Sequence, residues 1–190
     1  NIALVADPGA VGDASVIVLV NPNNPDGRIV STETLQDLAC QCRRRNGLLV
    51  IDEAFADFTQ GISIVPVLPP GALVLRSFGK TYGLAGLRLG FAIGEPVLVE
   101  GLCKALGRWA VAGPALHLGA LALGDSRWLA QAGAARHADA ARLDALLAPH
   151  GRVVGGTSLF RLLAAPDAPA LFAHLGRNGL HVRRFQHDPT

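Results

Sequence analysis

Three short, almost wholly apolar runs each break off into a polar cluster, and this pattern limits the possible folds more than any other feature. Ser15 to Val20 reads SVIVLV and stops in Asn21-Pro22-Asn23-Asn24-Pro25-Asp26-Gly27. Leu48 to Ile51 runs into Asp52-Glu53-Ala54-Phe55, and Leu73 to Leu75 runs into Arg76-Ser77-Phe78-Gly79-Lys80. Apolar runs without polar alternation suit strands of a parallel sheet covered on both faces, and Ser15 to Val20 is expected to be buried that way. Helical patterns between such runs point to a layered α/β sheet. The three polar clusters then follow the C-terminal ends of three strands, the edge where open α/β sheets bind ligands.

The remaining punctuation fills in the elements. Ser31 reads as an N-cap for a helix with Leu35, Leu38, Ala39 and Cys42 on its apolar side, stopped by Gly47. Leu89 to Ile93 makes a fourth strand after the hinge Gly83 to Gly86. Helices are expected over Pro96 to Leu106, Pro114 to Leu123 and Trp128 to Leu147. After about Gly124 the character changes. Arg152-Val153-Val154 leads into a Gly-Gly turn and a strand near Leu159 to Leu163. A helix from Ala168 to Arg177, closed by Gly179, precedes a strand at Leu180 to Arg184. Residues 1–124 are therefore assigned to a layered α/β domain and residues 125–190 to a smaller α+β unit.

Composition removes several function classes. With 50% hydrophobic and 17% charged residues, the 190-residue chain is not intrinsically disordered. Its 17 basic and 15 acidic residues give a net charge of +2 without a basic stripe, which argues against nucleic acid. The most apolar stretch, Ala110 to Leu123, is broken by Gly113, Pro114 and His117 and is too short to span a bilayer. No signal-peptide pattern is read, and a soluble cytoplasmic protein is expected. Cys40, Cys42 and Cys103 form no disulfide framework and read as small buried hydrophobes. The six histidines and three cysteines show no ligand spacing, so no metal is expected. The chain has no Met and opens on Asn1, which predicts a processed chain or a piece of a longer one; Gln186 to Thr190 read as a loop cut open.

Two lysines, Lys80 and Lys104, are the whole supply of side-chain primary amines. Lys80 shares the expected sheet edge with Asn24, Asp52, Ser77 and Arg88. A carboxylate, an amide, a lone lysine, a hydroxyl and an arginine gathered there suit a planar, phosphorylated, electron-withdrawing ligand. Plainer readings stand beside these: a surface lysine for Lys80, a turn or N-cap aspartate for Asp52, a turn asparagine for Asn24. Ser77-Phe78-Gly79-Lys80 also matches S-x-x-K of serine-acylating enzymes, but the partner motifs S-D-N and K-T-G are absent from the sequence.

In this order and at these intervals, NPNNPDG, DEAF and SFGKTYGLAGLRLG resemble the pyridoxal-phosphate enzymes of the aspartate-aminotransferase fold. Within that class the sequence is similar to the histidinol-phosphate aminotransferase branch. It is most similar to the threonine-phosphate decarboxylases of cobalamin biosynthesis, through Arg76 to Gly90 and through GGTSLFRL at Gly155 to Leu162. The resemblance implies a three-layer αβα large domain and a small α+β domain, each present in part, with pyridoxal 5'-phosphate as cofactor. It implies that Lys80 condenses with the cofactor aldehyde, which requires a neutral amine favoured by burial and a neighbouring cation such as Arg88. It further implies that Asp52 pairs with the pyridine nitrogen, Ala54 lies against the ring, Asn24 donates to the phenolic oxygen, and Ser77 and Arg88 hold the cofactor phosphate.

Two positions depart from the class. Phe55 stands in the cofactor set where many members place Tyr, and it cannot donate to the phenolic oxygen. Gly79 stands where many carry Ser or Thr, so one phosphate hydroxyl is missing. Arg183 resembles the position that holds the substrate phosphate; its plainer reading is an edge-strand surface arginine. The implied activity is decarboxylation of L-threonine O-3-phosphate, a small phosphorylated amino acid. The alternatives are a histidinol-phosphate-type aminotransferase and a non-catalytic pyridoxal-phosphate sensor domain of a transcription regulator. The family's ring-stacking aromatic and substrate-carboxylate arginine lie outside these residues. The full-length protein is expected to be a homodimer, and the isolated 190 residues are expected to be inactive. Trp109 reads as a core tryptophan, with an approach to a neighbouring subunit's site as its alternative.

Overall fold

The computed structural model describes residues 14–185; the expectations for Asn1 and for Gln186 to Thr190 lie outside them. The chain forms two compact units. Residues 14–23 and Ile29–Leu129 make the first, and Asn24–Arg28 with residues 130–185 make the second. The division falls inside a helix, between Leu129 and Ala130, whereas the sequence suggested a boundary near Gly124.

The first unit is built on a four-stranded sheet in the order β1 (Val16–Val20), β2 (Leu48–Asp52), β3 (Ala72–Ser77) and β4 (Gly90–Gly94). The first three strands are parallel, with Val20 level with Asp52 and Asp52 level with Leu75. β4 runs antiparallel to β3, pairing Ser77 with Gly90. Helix α1 (Thr32–Arg44) covers one face. Its Leu35, Leu38, Ala39 and Cys42 are buried against Leu49, Ile51, Ile64, Ala72 and Val74. Ser31 is in extended conformation and its Oγ accepts from Thr34 N at 3.2 Å, the expected cap. The helix ends with Asn46 in the left-handed region at φ 54° and with Gly47 N bonded to Cys42 O at 2.8 Å.

The expectation that Ser15 to Val20 is buried on both faces is not met. Ile17 and Leu19 pack toward the core, but Val16 is 54% and Val18 67% exposed. Among the described residues β1 lies at the edge of the sheet, and successive side chains alternate between faces. α1 covers only the face shared by Ile17, Leu19, Leu49 and Ile51.

Beyond the sheet come α2 (Phe78–Thr81), α3 (Pro96–Leu106), α4 (Gly113–Gly124) and α5 (Ser126–Leu147). Trp109 is 95% exposed with φ 67°, in the turn between α3 and α4, so it is no core tryptophan. Cys42 is buried, and burial pushes its thiol pKa up; Cys40 and Cys103 are exposed, contrary to the reading of all three as buried. Among the described residues no helix is long and apolar enough to cross a membrane.

The second unit contains the hairpin of β5 (Arg152–Thr157) and β6 (Phe160–Ala164), followed by α6 (Ala168–Arg177). Gly155 and Gly156 lie within β5 instead of forming a turn; the chain reverses at Ser158-Leu159. The reason is a main-chain contact. Asp26 O accepts from Gly156 N at 2.9 Å, and a Cβ on Gly155 would stand 2.0 Å from that oxygen. Gly27, at φ 73°, faces Gly156 O just as closely. Arg161 of the Phe160-Arg161-Leu162 run grips Asp144 on α5 with Nε at 2.7 Å and Nη2 at 3.2 Å.

Asp167 caps α6 by accepting from Ala170 N at 3.0 Å. The strand expected at Leu180 to Arg184 does not form. Leu180 N is occupied in closing α6 through Leu175 O at 2.9 Å, and the described residues offer no strand beside this segment.

Replacing the α1 cap, Ser31→Ala, is expected to lower unfolding stability by about 1 kcal/mol. Chemical denaturation should show a lower midpoint with an unchanged slope.

Candidate active site

β4's direction assembles the candidate edge. Because it is antiparallel, its N-terminal end meets the C-terminal end of β3, on the same sheet edge as the C-terminal end of β2. Phe78 N donates to Leu89 O at 3.2 Å, which sets Arg88 close to the start of α2. Asp52, Ala54, Phe55, Ser77, Lys80 and Arg88 all belong to the first unit and follow or end these strands. Alternation along β2 puts Asp52 on the face opposite Leu49 and Ile51, away from α1.

Each side chain has a definite local setting. Asp52 Oδ1 accepts from Ala54 N at 2.9 Å, while Oδ2 makes no hydrogen bond within the described residues. The turn role proposed as the plainer reading of Asp52 thus occupies one oxygen and leaves the other. Lys80 is exposed rather than buried as expected, because it sits on a single surface turn, and its Nζ lies 5.6 Å from the centroid of the Phe55 ring. Ser77 is half-buried at the end of β3. Arg88 is exposed, in left-handed conformation at φ 53°, with Nη1 donating to Ala85 O at 3.1 Å.

Asn24 and Arg183 belong to the second unit. Asn24 is exposed beside the Asp26-Gly27 contact. Arg183 is also exposed, with its guanidinium 5.1 Å from the Phe185 ring, and lies on an irregular segment rather than a strand.

Four residues unmarked in the sequence reading link these positions. Glu53, with no exposed surface, accepts from Ile64 N at 2.9 Å, Ser63 Oγ at 2.7 Å and Arg76 Nη1 at 2.8 Å. Arg76 Nη2 pairs with Asp57 Oδ1 at 2.8 Å, and Asp57 Oδ2 accepts from Thr81 Oγ1. The signal for the first pair was latent in register: with Asp52 level with Leu75, the next residues, Glu53 and Arg76, are opposite charges side by side. Asn21, also fully buried, was another missed position. Its Oδ1 accepts from Val30 N at 2.9 Å and its Nδ2 donates to Val30 O at 3.3 Å, clasping the two ends of the intervening loop.

A cleft of about 210 Å³ is lined by Asp57, Arg76, Ser77, Phe78, Tyr82, Phe91, Ile93 and Leu123. Ser77 is the one candidate residue on its wall. Tyr82 stacks between Phe78 at 4.5 Å and Trp128 at 5.5 Å. Burial, followed by the Asp57 carboxylate, pushes its phenol pKa above the ordinary range despite the opposing Arg76 charge.

The profile of the aminotransferase class I and II family matches residues 4–187. The chain belongs to that family. It is 43% identical over 173 residues to a threonine-phosphate decarboxylase of Pseudomonas aeruginosa, covering 90% of this chain and 52% of the relative. A threonine-phosphate decarboxylase of a Sinorhizobium species is 40% identical over 192 residues, covering 98% and 56%. A histidinol-phosphate aminotransferase of Mycobacterium bovis is 38% identical over 182 residues, covering 90% and 48%.

The chain spans about half the length of the curated relatives it matches. Among solved structures, histidinol-phosphate aminotransferase from Sinorhizobium meliloti, in complex with pyridoxal-5'-phosphate, superposes with a TM-score of 0.82 at 23% identity. That match covers 93% of this chain and 50% of the other. The enzyme of the same name from Clostridium acetobutylicum gives 0.83 at 22% identity, covering 93% and 56%. The fold is the α/β fold of these aminotransferases, present in part.

Within this aminotransferase-family chain, Gly79 has a steric reason to lack a side chain. A Cβ there would lie 2.8 Å from Ala85 Cα. Gly79→Ser is therefore expected to cost about 1–3 kcal/mol, since the clash is with main chain and side-chain repacking cannot relieve it. A thermal or denaturant midpoint shift checks this.

Proposed function

We propose that the protein is a pyridoxal-phosphate-dependent decarboxylase converting L-threonine O-3-phosphate to (R)-1-amino-2-propanol O-2-phosphate in cobalamin biosynthesis. The observation that carries this reading is the likeness to two threonine-phosphate decarboxylases, at 43% and 40% identity over 90% and 98% of the chain. In this reading residues 1–124 form part of the large domain and residues 125–190 part of the small one. The whole protein acts as a homodimer in the cytoplasm.

The donor set suits the cofactor. When bound, pyridoxal phosphate supplies an aldehyde that condenses with amines and a pyridinium ring that accepts electrons. Lys80 would supply the amine for that aldehyde. Asp52 Oδ2, which makes no hydrogen bond within the described residues, would accept from the N–H of the ring nitrogen and keep it protonated. Ser77 Oγ and the Arg88 fork would hold the cofactor phosphate. Ala54 and Phe55 would border the ring, and because Phe55 cannot donate, Asn24 would be the donor to the phenolic oxygen. Arg183 binds the substrate phosphate. Once carbon dioxide has left and the bonding electron pair remains with the α-carbon, Lys80 Nζ would deliver a proton to that carbon.

The 38% identity to the Mycobacterium bovis enzyme favours a second reading, a histidinol-phosphate-type aminotransferase. There the α-proton leaves instead of the carboxylate, and Lys80 carries it. A sensor domain would retain the binding set without turnover.

Mixing the full-length protein, pyridoxal phosphate and L-threonine O-3-phosphate should release carbon dioxide. Lys80→Ala should abolish both that release and the visible absorbance of the lysine-bound cofactor. Lys80-dependent amino transfer without release would instead support the aminotransferase. Absorbance with neither activity would support the sensor, and no absorbance in the parent protein would overturn the cofactor assignment. Arg183→Ala should raise KM for the phosphorylated substrate about 10- to 100-fold, as expected for loss of a charge-assisted hydrogen bond. Steady-state kinetics on threonine phosphate would reveal an unchanged KM if Arg183 is merely a surface residue.

A further inference from the structure

We propose that the linked side chains Glu53, Arg76, Asp57 and Thr81 form a positioning device that holds the Lys80 turn in register with the Asp52 strand end. The inference rests on the cofactor roles proposed for Lys80 and Asp52. It assigns work to four residues that touch neither cofactor nor substrate in that reading.

Three features carry it. The first is adjacency. Glu53 directly follows Asp52, Arg76 directly precedes Ser77, and Thr81 directly follows Lys80. Every link therefore fixes the backbone next to a residue assigned to cofactor binding. The second is the weakness of the element that bears Lys80. α2 is a single four-residue turn; Ser77 gives it no side-chain cap, and its closing bond, from Tyr82 N to Phe78 O, is 3.4 Å long. A lone turn is not stable by itself. Thr81, only 6% exposed, ties the end of this turn to Asp57, and Arg76 carries the connection on to fully buried Glu53.

The third feature is energetic. Well-packed apolar residues of similar volume commonly match or exceed the stability of a buried ion pair. Geometry gives a reason for charges here: fork-like Arg76 bonds to two carboxylates in fixed directions, so the β2 end and the α2 turn cannot shift independently. A group that moves a proton has to be held within about 0.5 Å of its productive position.

Thr81→Val removes the hydroxyl at nearly constant volume, and Thr81→Ser keeps it. Both belong in the intact protein, studied first without cofactor. Hydrogen exchange at residues 78–82 should accelerate about tenfold or more in Thr81→Val, consistent with local opening, and stay near the parent value in Thr81→Ser. Exchange in β2 and β3 should not change. After reconstitution, Thr81→Val should shift the pH midpoint of the visible absorbance and lower kcat about 10- to 100-fold, the scale expected for a small misplacement. KM should stay within about twofold, as for an interaction felt at the reacting atoms. Thr81→Ser should restore the pH midpoint and kcat.

Unchanged exchange in the turn overturns the proposal, as does an unchanged absorbance midpoint with unchanged kcat. Acceleration spread equally over β2 and β3 also overturns it, because that marks general destabilisation. If the parent shows no Lys80-dependent absorbance, the cofactor reading fails; the cofactor-free exchange result still decides whether the links hold the turn.

Discussion

A carboxylate with no exposed surface dictates much of what surrounds it, and Glu53 is in that position. Leaving it unpaired would cost several kcal/mol. Its three donors come from the 63–64 segment and from β3, so it draws the loop after β2 and the neighbouring strand to one point. Slipping β2 against β3 by one residue would turn Arg76 to the opposite face and strand the charge. The register that brings Asp52 level with Leu75 is thereby protected by a polar contact as well as by apolar burial. Once that register holds, Ser77 and the α2 turn must emerge just beyond Asp52.

Much of this was legible in the sequence because local rules and packing agreed. The Ser31 cap, the apolar side of α1, the span of α3 from Pro96 to Leu106 and the span of α6 from Ala168 to Arg177 all match expectation. The polar clusters after β2 and β3 also fall where the break from apolar to polar residues placed them. The direction of β4 was not legible. GFAIG carries no sign of whether it runs parallel or antiparallel to its neighbour, yet that direction brings Arg88 to the candidate edge.

The failures share a physical cause: they depend on what lies alongside, not on the segment itself. Val16 and Val18 look like core residues until one asks which element covers their face. Leu180 to Arg184 has a strand-like composition, but the described residues offer no strand for it to pair with. Trp109 has a large, mostly apolar side chain, yet it projects from a turn and is 95% exposed. The glycines of β5 looked like a turn because glycine usually marks one, whereas here they admit another stretch of backbone. The charge network escaped because its members are spread from Glu53 to Thr81 and become neighbours only through strand register.

The close approach at Gly79 also bears on how this turn can change by descent. A chain that gained serine or threonine there would recover a hydroxyl near the proposed phosphate site, but the first atom it meets is the α-carbon of Ala85, not a side chain. No single replacement at position 85 clears that atom. Gain of the hydroxyl would require the main chain at Ala85 to shift. A one-step route from the glycine to the hydroxyl form of this turn therefore passes through a destabilised chain, and a second change that eases the main chain at Ala85 would recover the loss.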